Sequence, residues 1–234
     1  RVALAALTTG GTLVLMKGWH TVEWVRLVMV HKVTFAMPVA SQVKQLAHTR
    51  TDKQITESLR CLAFSSASLD AATKQVMRAK IPCPLPECYG TSEIAIATDT
   101  DQTSLGVGKA TEGVEVMIAE SGEIMVKTPL MFDGYYNLPI STEAAMQGEY
   151  FMTGDIGKLD ANGNLIYLGR SKEVINVGGT KVYPNDVEAI LEQHPDIIEC
   201  AAFAKTDELL GEVVAVAVVS KDGLLLDLNS LQKC

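Results

Sequence analysis

Apolar and polar positions change rhythm partway along this 234-residue chain. Thr12–Met16 (TLVLM) is a short apolar run after Gly10-Gly11 and predicts a buried strand. Val22–His31 carries apolar residues at helical spacing, with Trp24, Leu27 and Val28 on one side and Glu23 and Arg26 on the other. Val33–Phe35 predicts a strand closed by Pro38, Ala40–His48 a helix, Leu59–Phe64 a strand, and Leu69–Lys80 a helix for which Ser68 or Asp70 is a suitable cap. Strand and helix alternating at this spacing predict an α/β layer with parallel strands. After Gly106 the pattern shortens. Val114–Ile118, Gly122–Val126, Tyr150–Lys158 and Asn164–Leu168 read as strands divided by turns such as Ser121-Gly122 and Ala161-Asn162-Gly163, a mostly antiparallel region. Asn185–His194 predicts a helix capped by Asn185 and ended by Pro195, and Val213–Val219 a continuous apolar strand. A joint is expected near Gly169–Lys172, where a strand stops and a small helix-plus-sheet unit begins.

Composition excludes more than it selects. Apolar residues make up 47% and charged residues 21%, ordinary for a globular protein. The formal net charge of −8 argues against non-specific binding to nucleic acid or an anionic membrane, so an anionic substrate must be held by local donors. The five cysteines (Cys61, Cys83, Cys88, Cys200, Cys234) are odd in number, and no second pair or histidine cluster completes a zinc pattern around Cys83 and Cys88. Free thiols in a reducing, cytoplasmic compartment are expected. No apolar run approaches the roughly 18–20 residues of a membrane span, and Val2–Leu7 is too short for a signal peptide and lacks its flanks. The chain opens on Arg1 and stops at Cys234, and both ends read as cut.

Three segments carry candidate chemistry. In Glu87-Cys88-Tyr89-Gly90-Thr91-Ser92-Glu93 a strand end is followed by an aromatic ring, a glycine, hydroxyls and a carboxylate. An aromatic can pack on a purine, Gly90 lets the backbone approach, a hydroxyl can bind phosphate and Glu93 can hold Mg²⁺. A plain strand-to-helix turn would give the same pattern. In Phe151-Met152-Thr153-Gly154-Asp155 an aspartate at a glycine-containing turn can accept from both hydroxyls of a ribose, or it can simply stabilise the turn. Gly169-Arg170-Ser171-Lys172-Glu173 supplies a planar fork of donors suited to phosphate or ribose oxygens. Downstream, Val177-Gly178-Gly179-Thr180-Lys181-Val182-Tyr183-Pro184 offers a loop able to approach an extended ligand. A solvated surface arginine and loop is the bland alternative.

The three segments, with Ser65-Ser66-Ala67-Ser68-Leu69 upstream and Gly122-Glu123-Ile124 and Gly134-Tyr135-Tyr136 between, resemble the adenylate-forming superfamily over about Gly10 to Val219. That superfamily includes acyl- and aryl-CoA synthetases, luciferases and peptide-synthetase adenylation domains. The resemblance implies an α/β fold: the C-terminal half of a large α/β domain with a β-rich subdomain over residues 1–171, plus most of a small, mobile α+β domain over 172–234. It implies that Tyr89 stacks on adenine, that Ser92 (threonine in most relatives) contacts phosphate, that Glu93 binds Mg²⁺, and that Glu87, Cys88 and Gly90 line the base and acyl pocket. Ala67 would pass beside the adenine. Asp155 matches the ribose-binding aspartate and Arg170 the arginine that contacts ribose and α-phosphate, so that Tyr89, Glu93, Asp155 and Arg170 serve one nucleotide. Lys172 falls at the family's hinge, Gly178 and Gly179 match the loop that approaches pantetheine, and Lys181 adds a charge near coenzyme A phosphates.

The function so implied is activation of a fatty or aryl acid with ATP and Mg²⁺ to acyl-AMP, then transfer to coenzyme A. The acyl pocket would draw on Phe35–Val39, Ile94, Ala95 and Ile96, all apolar, which core packing explains equally. Two family signatures are absent: the Ser/Thr/Gly-rich phosphate loop and the lysine near the C-terminus. Losing one preorganised donor typically costs about 10²–10³ in rate, so the chain alone is expected to be a poor catalyst, with the missing N-terminal half or a second copy as candidate partner. Loading of an acyl-carrier protein and a non-catalytic nucleotide-binding module stay open as alternatives.

Overall fold

The computed structural model describes residues 2–49, 57–65, 69, 71–81, 83–100 and 106–221. It forms two compact units: one of Arg1–Val114, Thr128–Phe132 and Ala161–Leu165, the other of Glu115–Lys127, Asp133–Asp160 and Ile166–Cys234.

In the first unit, α1 (Val2–Thr8) precedes α2 (Thr21–His31), β1 (Phe35–Ala36), α3 (Ala40–His48), β2 (Cys61–Leu62) and α4 (Ala71–Lys80). β1 and β2 pair in parallel, Phe35 with Cys61 and Ala36 with Leu62. Parallel bridges from Val39 to Ser65 and from Phe64 to Glu87 extend the ladder towards the next segment. The predicted α/β layer is therefore present. Its core is Val28, Val43, Leu46, Leu62, Phe64, Met77 and Ile81, with Trp19 and Trp24 packed at the margin. These come from one face of each helix and the inward positions of the strands, the arrangement the sequence periodicity encodes. Lys32 ends α2 in the left-handed region, φ 50°, with its N–H returned to the Val28 carbonyl, a common helix stop. Lys80, in the last turn of α4, donates its ammonium to the carbonyls of Leu46, Ala47 and Thr49 at the end of α3. Carbonyls at a helix C-terminus run short of intrahelical donors and carry the negative end of the helix dipole, although Leu46 also accepts from the Thr49 N–H at 3.2 Å.

The same unit holds β3 (Cys88–Thr91), β4 (Ala95–Asp99) and β5 (Lys109–Ala110), joined antiparallel in that order. The second unit holds β6 (Glu115–Ile118), β7 (Glu123–Lys127), α5 (Pro139–Ala144), β8 (Met146–Gln147), β9 (Tyr150–Leu159) and β10 (Leu165–Arg170). Here the order is β10-β9-β7-β6 with β8 beside β9, and the β6–β7, β7–β9 and β8–β9 pairings are antiparallel as expected. A 3₁₀ turn, Ser171–Glu173, leads to β11 (Ile175–Val177), β12 (Thr180–Val182), α6 (Pro184–Leu191), β13 (Ile197–Asp207) and β14 (Gly211–Ser220), in a sheet ordered β12-β11-β14-β13.

Several expectations need correction. Thr12–Met16 is not a strand: it pairs with nothing among the described residues, and Leu15 is 79% exposed. An apolar run becomes a strand only where a neighbour takes up its backbone polar groups. The strand predicted at Val33–Phe35 lies at Phe35–Ala36. The last helix is capped by Tyr183, not Asn185, with Pro184 at its first position, where a missing N–H costs nothing. It ends at Leu191, short of His194. β13 escaped the periodicity because its small alanines and outward charges blur the alternation.

Candidate functional site

The Glu87–Glu93 segment is built differently from the predicted strand end: Tyr89 and Gly90 lie inside β3, and the turn comes at Ser92. Glu87 is 2% exposed. Its Oε2 accepts from Lys74 Nζ at 2.5 Å, and its backbone N–H donates to Thr100 Oγ1 at 2.6 Å. The Cys88 N–H donates to the Phe64 carbonyl at 2.8 Å, so the segment is fastened on both sides before Tyr89. Burial, followed by the Asp99 charge, pushes the Cys88 thiol up to about 11. Tyr89 is 7% exposed. At Gly90 the ladder slips between Tyr89 and Gly90, and a Cβ there would lie 1.8 Å from the Ala95 carbonyl oxygen. Ala95 itself holds φ 58°, an uncommon conformation for a residue with a side chain. Glycine is thus a steric requirement of the bulge.

Ser92 is exposed and Glu93 half-buried. The Glu93 N–H donates to Thr91 Oγ1 at 3.2 Å, and its carbonyl accepts from Phe132 N at 2.7 Å, which fixes the backbone that presents the carboxylate. No group of three or more acidic, histidine or cysteine side chains among the described residues makes a metal cage. Mg²⁺ is commonly held by one or two carboxylates, keeping several waters and taking its remaining ligands from substrate phosphates. Ile94 is fully buried, whereas Ala95 and Ile96 are half-buried, so Ile94 is a core residue in this structure.

In the second unit, Asp155 lies in β9 at a bulge. Glu123 pairs with Ile156 and Met125 with Met152, so Ile124 alone faces Thr153, Gly154 and Asp155. Gly154 turns the chain at φ 72°, and its N–H donates to Glu123 Oε1 at 2.8 Å. Thr153 Oγ1 donates to the Ile124 carbonyl at 2.7 Å and accepts from the Asp155 N–H at 3.1 Å. The bulge re-aims the aspartate, whose carboxylate is 2% exposed as a residue and sits 3.1 Å from Arg170 Nη1. The same nitrogen reaches the Thr153 carbonyl at 3.4 Å, while half of the Arg170 side chain, 52%, stays exposed. Tyr167, on the neighbouring strand β10, is pushed up to about 12 by burial and then by the Asp155 charge. Asp155 and Arg170 are thus brought together.

Lys172 is exposed in the 3₁₀ turn and Lys181 exposed on β12. Gly178 and Gly179 form the two-residue tip of the β11–β12 hairpin, with φ 56° and 92°, the paired left-handed geometry of a tight hairpin turn. Ala67 lies outside the described residues. Cys61, Cys83, Cys88 and Cys200 are free thiols. Sequence reasoning missed Lys74 and Glu212, side chains remote in sequence that contact Glu87 and the Asn176 amide next to Val177. Glu123 and Thr153 lay inside the quoted segments, but their bonds to Gly154 N–H, the Ile124 carbonyl and Asp155 N–H were not anticipated.

The chain matches the AMP-binding enzyme family over residues 1–136 and the AMP-binding enzyme C-terminal domain over residues 186–233. A probable CoA ligase of Humulus lupulus is 32% identical, over 82% of this chain and 40% of that protein. The indoleacetate–CoA ligase of Aromatoleum aromaticum is 30% identical, over 95% of this chain and 47% of that protein. Among solved structures, ATP-bound MatB from Rhodopseudomonas palustris has a TM-score of 0.88 at 28% identity, covering 98% of this chain and 49% of that one. The amide bond synthetase McbA from Marinactinospora thermotolerans scores 0.89 at 28% identity, over 99% of this chain and 51% of that one. The chain spans about half the length of the relatives it matches. It belongs to the AMP-binding enzyme family, the adenylate-forming enzymes.

Proposed function

We propose that the chain serves ATP-dependent activation of a carboxylic acid, by attack of the acid on the α-phosphorus to give acyl-AMP and pyrophosphate, followed by transfer of the acyl group to coenzyme A. The observation that carries this reading is the Asp155–Arg170 pair at the β9 bulge. A buried carboxylate held by a half-exposed guanidinium is suited to a ribose diol beside a phosphate. The carboxylate accepts from hydroxyls, and the guanidinium keeps N–H groups free for anionic oxygens. Preorganised donors of this kind act where negative charge develops.

Tyr89 is assigned to the adenine, Ser92 to a phosphate oxygen, and Glu93 to Mg²⁺, which when bound neutralises phosphate charge. Glu87 and Cys88 act through backbone and burial rather than by open contact. The boundary between the two catalytic domains is placed at residues 171 and 172, with Lys172 as hinge, and Gly178, Gly179 and Lys181 are assigned to coenzyme A. Of the aryl and fatty acids proposed as substrates, relatives named for indoleacetate and 4-coumarate support the aryl class. Calorimetric titration of the chain with AMP tests the reading. Binding is expected, and Asp155→Asn should weaken it by about tenfold or more, the worth of a hydrogen bond to a charged group. No binding by the unaltered chain, or equal binding by the variant, would refute it.

A further inference from the structure

We propose that Glu212, acting with the Asp207–Gly211 turn, is a positioning residue that holds the Gly178-Gly179 tip for the thiol acceptor. The proposal rests on the reading above that this tip serves the thioester step. The hairpin that carries the tip is short. β11 and β12 share three register pairs, from Ile175 with Val182 to Val177 with Thr180, and so small a ribbon is marginal on its own. β12 is an edge strand. β11 pairs with β14 through Val177 and Gly211.

Two further bonds flank that pair, one reaching the tip itself at Gly178 and the other Asn176, two positions before it. The Gly178 N–H donates to the Leu210 carbonyl at 3.0 Å. The Asn176 N–H donates to Glu212 Oε2 at 2.7 Å, a charge-assisted bond of the stronger kind. The turn that presents Leu210 is itself tied down. Asp207 Oδ1 accepts from the Leu209 and Leu210 N–H groups, each at 2.9 Å. These two donors hold the Asp207 carboxyl below the usual carboxylate range. Leu210 also closes on the tip from above: a Cβ on Gly178 would meet Leu210 Cδ2 at 3.2 Å.

The bulk of this sheet does not depend on that fastening. β13 and β14 pair almost continuously from Ile197–Ser220 to Asp207–Gly211, and Glu188 Oε1 on α6 accepts from the Ala202 N–H at 2.9 Å. Removing the Glu212 carboxylate leaves this ladder whole and loosens only the end of the hairpin. Glycines at φ 56° and 92° keep no conformation by themselves, so a tip that must meet a ligand in one geometry needs an external brace. Glu212 and Asp207 supply it.

The test uses the full chain with Glu212→Ala and Glu212→Gln, free coenzyme A and AMP as probes, and amide hydrogen exchange as a second readout. In Glu212→Ala, exchange at Asn176–Gly179 should speed up by about tenfold, the worth of one hydrogen bond to a charged group, with β13 and β14 unchanged. Coenzyme A affinity should fall by a similar factor while AMP affinity holds. Glu212→Gln, which keeps an acceptor oxygen, should recover most of both effects. Unchanged exchange at the tip, or equal loss of coenzyme A and AMP binding, overturns the proposal. Should the unaltered chain bind AMP but not coenzyme A, the thioester assignment of the tip fails, and with it the proposed purpose of Glu212, whatever the exchange shows.

Discussion

Replacing Lys74 with methionine isolates the ion pair beneath the Glu87–Glu93 segment. Glu87 is 2% exposed and Lys74 24%, with Nζ 2.5 Å from Oε2. At an effective dielectric near 20, two unit charges this close attract by about 7 kcal/mol, most of which repays the removal of both groups from water. The relevant quantity is the cost of leaving one charge buried alone, about 3–5 kcal/mol for a fully enclosed pair. The partial exposure of Lys74 admits water, so the expected loss is at the lower end, about 3 kcal/mol. At roughly 2–4 °C per kcal/mol for a domain of this size, the midpoint falls by about 6–12 °C. Both tryptophans, Trp19 and Trp24, border the core of the same unit, so urea unfolding followed by tryptophan fluorescence reports on the right part of the molecule. The double variant Lys74→Met/Glu87→Leu removes both charges and should return to within about 1 kcal/mol of the unaltered chain. A loss under about 1 kcal/mol in the single variant, or a double variant no better than the single, would refute the reasoning.

Two further outcomes follow from the same segment. Gly90→Ala drives a methyl group into the Ala95 carbonyl at 1.8 Å and should cost at least about 2 kcal/mol through forced backbone movement; a variant as stable as its parent in urea would show that the bulge is soft. Cys88 has its folded value raised from 9.0 to about 11, so the folded state binds the extra proton between those values. Its contribution is fully present below pH 9 and is lost as pH rises towards 11. Unfolding free energy should therefore decline over that window, and Cys88→Ala should lessen the decline; an identical pH profile in the variant would contradict the assignment.

Among the described residues the sequence made four of six helices and seven of fourteen strands legible, those whose stabilisation is most local. α3 was read at its observed limits from apolar spacing alone, and the antiparallel region from turn residues such as Ala161-Asn162-Gly163. Thr12–Met16 shows the limit: its composition favours a strand, but strand formation is settled by a partner that composition does not name. The candidate site divides the same way. Asp155 and Arg170 were legible as residue types in a motif, and their pairing is present. Lys74 and Glu212 were not, and neither was the contact of Glu123 with the Gly154 amide, because each arises through folding rather than through spacing. The burial of Glu87 was equally hidden, since an acidic residue beside Cys88 and Tyr89 looks like a ligand contact until the Lys74 ammonium is found against it.

The bulge in β9 means that the Phe151–Asp155 pentapeptide is not portable. Its aspartate is aimed by Glu123 and Ile124, which lie about thirty positions upstream and on another strand. Anyone transplanting this element into a new scaffold must carry both strands across, with the carboxylate of Glu123 placed against the Gly154 amide. Copying the contiguous motif alone would deliver the right side chain facing the wrong way.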